Sequence, residues 1–75
     1  MNFAGRDITD LVRIVAEGGS LVLEARARST DELLRIAEAA ANSGARVDLR
    51  GLGNRPTDEL VLIARTGKGA IIFTP

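Results

Sequence analysis

The chain has no cysteine and no histidine. Their absence removes a disulfide framework, thiolate chemistry, zinc sites of the Cys/His type and the commonest general base. Aromatic residues are scarce, at 3%, and Lys68 is the one lysine. Charge of neither sign is in excess: ten Lys or Arg stand against ten Asp or Glu. A nucleic-acid footprint needs clustered positive charge, so no nucleic-acid partner is expected. No apolar run approaches the ~20 residues of a membrane span. The start, Met1-Asn2-Phe3-Ala4-Gly5-Arg6-Asp7, lacks the basic segment and apolar core of a signal peptide. The expectation is a soluble cytoplasmic protein that engages neither membrane nor nucleic acid.

What remains is an ordinary globular composition, 45% apolar and 27% charged over 75 residues. That length fits one domain, residues 1–75. The domain carries an internal repeat. Asp10-Leu11-Val12-Arg13-Ile14-Val15 aligns with Glu32-Leu33-Leu34-Arg35-Ile36-Ala37, and both align with Glu59-Leu60-Val61-Leu62-Ile63-Ala64. Four shorter segments alternate with these: Met1–Ala4, Leu21–Glu24, Val47–Arg50 and Ile71–Thr74. Two segment types recurring in turn, at 22 to 27 residues, mark one supersecondary unit used several times.

The longer segments read as helices, because their apolar residues recur at three and four: Ile8, Leu11, Val12 and Val15; then Leu33, Ile36, Ala37, Ala40 and Ala41; then Leu60, Ile63 and Ala64. Asp7, Ser29 (with Glu32 completing a capping box) and Thr57 after Pro56 sit where N-caps belong. Acidic residues fill each first turn, as the helix dipole favours. Gly18-Gly19, Gly44 and Gly67 follow as stops. The shorter segments alternate in polarity between glycines and read as strands. The fold class is therefore α/β, a βαβαβαβ repeat: a four-stranded, mainly parallel sheet in sequential order with three helices on one face. Phe3, Leu21, Leu23, Val47, Leu49, Ile71 and Phe73 share the parity that faces the helices. The opposite parity is half polar, whereas a sheet covered on both sides reads as near-continuous apolar strands. One face is expected to be bare.

Thr30-Asp31-Glu32-Leu33-Leu34-Arg35-Ile36-Ala37 and Thr57-Asp58-Glu59-Leu60-Val61-Leu62-Ile63-Ala64 are each followed by a glycine and a strand. In this the chain resembles short bacterial βα-repeat proteins, a leucine-rich-repeat-like half-solenoid class. The resemblance implies a binding surface on the strand face and no reaction.

The residues themselves offer little for catalysis. Asp7 and Asp10, Asp31 and Glu32, and Asp58 and Glu59 all occupy first helical turns, where capping and the dipole account for them. Lys68, in Thr66-Gly67-Lys68-Gly69, precedes a strand, whereas a phosphate-binding loop needs its lysine before a helix. It reads as a C-cap turn. Two surfaces remain. The loop Arg50-Gly51-Leu52-Gly53-Asn54-Arg55-Pro56 follows a strand and opens a helix, so Arg50, Gly51, Gly53, Asn54 and Arg55 could hold an anion there. Asp58 and Glu59 immediately beyond it oppose such a ligand. The strand face gathers Arg46, Asp48 and Arg50 beside Glu24, Arg26 and Arg28, with opposite charges placed to pair across the ladder. Apolar Val22 and Ile72 lie on this same face, and Leu62 stands where the sister helices carry Arg13 and Arg35. No cofactor or metal is expected. The expectation is a non-catalytic interaction or scaffold module that associates with itself through its C-terminal repeat, with another protein as a further possible partner. The alternative is a small anion- or metabolite-binding domain using the Gly51–Pro56 loop.

Overall fold

The computed structural model describes residues 5–75. Three helices alternate with three strands: α1 Ile8–Ala16, β1 Leu21–Glu24, α2 Thr30–Ser43, β2 Val47–Arg50, α3 Thr57–Gly67 and β3 Ile71–Thr74. The strands form a parallel sheet in sequential order, β1-β2-β3. The sheet thus has three strands among the described residues, not four. The segment expected to form a first strand, Met1–Ala4, lies outside them, as do Asn2 and Phe3.

The three strands coincide with the segments that the period-two pattern marks. They are in step with the repeat: Leu21, Val47 and Ile71 share one register row, and Leu23, Leu49 and Phe73 share another. One cluster of buried residues forms the core between sheet and helices. Leu21, Leu23, Val47 and Leu49 come from the strands, Ile8, Leu11 and Val15 from α1, Leu33, Ile36, Ala37 and Ala40 from α2, and Ile63 from α3. Leu52 also enters it from the loop before α3, so that loop is pinned by an apolar plug. The opposite sheet face is bare, as its half-polar pattern requires.

Cap chemistry explains where the helices begin and end. Ser29 Oγ accepts from the Glu32 N–H at 3.2 Å, satisfying one of the unpaired donors of the first turn of α2. Gly44 closes α2 in the left-handed region, at φ 79°, donating its N–H to Ala40. Two assignments shift in α3. Pro56, not Thr57, takes the N-cap position; its carbonyl accepts from Glu59 and Leu60 N–H groups, and its missing N–H costs nothing there. Gly67 is the last helical residue, and Lys68 carries the left-handed turn at φ 50°. Packing is the reason: Gly67 is buried against Ile71, and a Cβ would run into that side chain.

Candidate functional site

The bare sheet face presents two short rows of side chains. Parallel register sets Val22, Asp48 and Ile72 side by side, and Glu24, Arg50 and Thr74 beside them. Arg46 and Arg26 flank the strands at either end and are exposed. The charge pairing on this face runs differently from the cross-ladder expectation. Arg50 Nε lies 3.7 Å from Oδ2 of Asp48, two residues back on its own strand. Across the ladder it is Thr74 Oγ1 that donates to Asp48 Oδ1, at 2.8 Å. Glu24 faces Arg50 in register, but its carboxylate lies against Gly51, in the space a side chain there would claim. The two apolar members, Val22 and Ile72, remain 48% and 47% exposed.

The Gly51–Pro56 loop is organised around one side chain. Arg55 Nη1 donates to Glu59 Oε1 at 2.8 Å, four residues on in α3. Its Nη2 donates to the carbonyl oxygens of Arg26 and Arg28 in the turn before α2. The Thr30 hydroxyl, in the first turn of α2, donates to the same Glu59 oxygen. A single carboxylate therefore ties together two helix starts and a loop. Both donors, Thr30 first and Arg55 second, hold the Glu59 carboxyl below its ordinary value of about 4.5. This cluster turns the Arg55 guanidinium inward, onto groups of its own chain. Gly53 and Asn54 are exposed at the loop tip, Gly51 is half-buried, and Arg50 is engaged with Asp48. Both arginines of the loop are thus engaged with groups of their own chain.

The third surface is the flank of the last repeat, and the aligned repeats show how it arises. Leu11 and Leu33 are buried, whereas Leu60 in the same slot is half-buried. Val12 and Leu34 are half-buried, whereas Val61 is 46% exposed. Val15 and Ala37 are buried, whereas Ala64 is exposed. The strands follow suit: Leu23 and Leu49 are fully buried, but Phe73 in their row is 37% exposed. Phe73 has the helix-facing parity that predicts burial, and it remains open because no helix among the described residues covers it. These slots are less covered than in the earlier repeats, although Ile63 is as fully buried as Ile36. Leu62, 43% exposed in the arginine slot, adds to the same flank. Ala64 and Phe73 are the members that the residue pattern alone assigns to the core; the signal that could have found them is their place in the most C-terminal of the three aligned repeats.

Elsewhere the surface is less specific. Val12, Leu34, Arg35, Glu38 and Asn42 line a shallow groove between the first two helices. Among the described residues no cluster of three or more Asp or Glu gathers as a metal site would need, and no helix is long and apolar enough to cross a membrane. No family model matches the chain, and no curated protein or solved structure matches it.

Proposed function

We propose that this protein is a non-catalytic interaction or scaffold module that associates with itself through its last repeat. One observation carries the reading. Of the large apolar side chains left exposed, Val61, Leu62, Ile72 and Phe73 all belong to α3 and β3, and only Val22 lies elsewhere among the described residues. Single exposed apolar residues are ordinary, but four of them gathered on one helix–strand unit mark a contact surface. A chain below ~80 residues also gains from association the stability that one small core lacks. The polar groups that do come together, around Glu59 and around Asp48, bond to one another and to backbone, which is what a structural role requires.

Light scattering coupled to size exclusion at tens of micromolar tests this. The wild type is expected at no less than twice the 7.9 kDa of one chain. The double variant Ile72→Lys, Leu62→Arg is expected at the mass of one chain with an unchanged circular dichroism spectrum, because both positions are exposed. A wild type at 7.9 kDa, or a folded double variant that stays associated, overturns the proposal.

A further inference from the structure

Resting on that reading, we infer that the open edge of β3 seats β3 of a second copy, antiparallel across a twofold axis at Ile72, joining the two three-stranded sheets into one. The backbone points to this first. The carbonyls of Ala70 and Thr74 accept from Val47 and Gly51 on the β2 side. N–H and C=O groups alternate in direction along a strand, so Ile72 also turns toward β2 while Ile71 and Phe73 turn both their groups outward. Among the described residues no strand lies beyond β3 to meet them.

Only one register uses all four outward groups. Pairing Ile71 with Phe73 of the second copy, and Phe73 with its Ile71, makes four backbone hydrogen bonds and sets Ile72 opposite itself. Sliding two residues one way brings Pro75 against Ile71, where there is no N–H to give. Sliding the other way brings Gly69 against Phe73, and Gly69 has left the extended region at φ 88°. The favoured register also places aromatic Phe73 beside β-branched Ile71 on the helix side of the sheet, a stabilising cross-strand combination. On the bare side Ile72 covers Ile72.

Charge selects this contact over head-to-tail stacking. Residues 70–75 carry no charged side chain. The opposite flank of the molecule, on α1, carries Arg6, Asp10, Arg13 and Glu17 around a shallow groove, so stacking the last repeat on the first would bury charge against apolar surface. The twofold contact sets like against like and closes after two copies. It also runs the two α3 helices antiparallel. The acidic start of one, at Asp58, then lies toward the basic end of the other, at Arg65 and Lys68. The exposed Val61 and Leu62 face the gap between them.

Because the chain has no cysteine, single-cysteine variants read the geometry directly. Residues opposite each other in a non-hydrogen-bonded antiparallel pair have Cα atoms about 4.5 Å apart, inside the roughly 4.4–6.8 Å a disulfide spans. Under mild oxidation at tens of micromolar, Ile72→Cys is expected to cross-link as a dimer at least ten times faster than Val22→Cys, an equally exposed position on the far strand of the same face. If the wild type associates by light scattering but Ile72→Cys cross-links no faster than Val22→Cys, the β3 edge contact is wrong and self-association stands. If the wild type has the mass of one chain, both fall together.

Discussion

Leu49 is the most demanding position in the fold, and replacing it by alanine gives the clearest test of the register. It lies in the middle of the central strand, fully buried, with Leu23 and Phe73 beside it on the neighbouring strands. The substitution removes three buried carbons, about 2.4 kcal/mol at roughly 0.8 kcal/mol each. The cavity left between sheet and helices raises the cost to about 3–5 kcal/mol, since strands held on both sides relax only in part. A 75-residue chain has a total stability of about 4–11 kcal/mol at typical values per residue. Leu49→Ala should therefore lose a quarter or more of it, and Leu23→Ala, equally buried on β1, should behave alike. Arg46, one register position before β2 and exposed, should tolerate alanine within about 0.5 kcal/mol. Urea unfolding followed by circular dichroism measures all three at one protein concentration, held fixed because association shifts the midpoint. Comparable losses for Arg46→Ala and Leu49→Ala would mean that the faces of the sheet are assigned the wrong way round.

Three further outcomes concern the Arg55–Glu59 cluster. The folded state holds the Glu59 carboxyl below about 4.5, so in acid the unfolded chain takes up this proton before the folded one does. Stability should be full above pH 4.5 and fall as pH drops through the range below it; the fall should be shallower in Glu59→Gln, measured as urea midpoints between pH 6 and pH 3. Arg55→Ala should lower the melting temperature by roughly 4 °C or more, through the lost bridge between the turn before α2 and the start of α3. Millimolar inorganic phosphate should leave the melting temperature of the wild type unchanged, and a rise that Arg55→Ala abolishes would restore the anion-binding reading of the loop.

Much of the architecture was legible because the repeat enforces agreement between levels. Three helical segments with apolar residues at three and four, separated by short alternating segments, leave few arrangements other than strands under helices. The bounds of β1, β2 and β3 follow from parity and glycine placement alone. What was not legible depends on neighbours in space. Phe73 has the same parity as Leu23 and Leu49, and nothing local distinguishes it; it is exposed because no helix among the described residues covers it. Gly67 reads as a helix stop, yet its place is set by Ile71, four residues later, pressing on it. Arg55 reads as a free cation in a glycine loop. Besides Glu59, an i,i+4 partner the sequence offers, it donates to the carbonyls of Arg26 and Arg28, which are nearly thirty residues away and belong to backbone, and so leave no trace in residue identity. The charge pattern of the bare face was visible, but its pairing was settled by Glu24 leaning toward Gly51 and leaving Arg50 to Asp48.

The two flanks of the described βα units differ in chemistry. Any stack of βα units exposes a flank at each end that an interior unit would cover, and such flanks are normally made polar. Asp10 and Arg13 on α1 and Glu17 just after it are exposed, so that flank is polar. On the other flank the equivalent of Arg13 and Arg35 is Leu62, the last strand is uncharged, and its outward residues are Ile71 and Phe73. Natural edges discourage pairing with charge, proline or a bulge. Here the only such device is Pro75, which stands just beyond the strand in the outward parity. In that position it does not prevent a second strand from joining at Ile71 and Phe73. It ends the ladder after them, and so fixes which residues can meet.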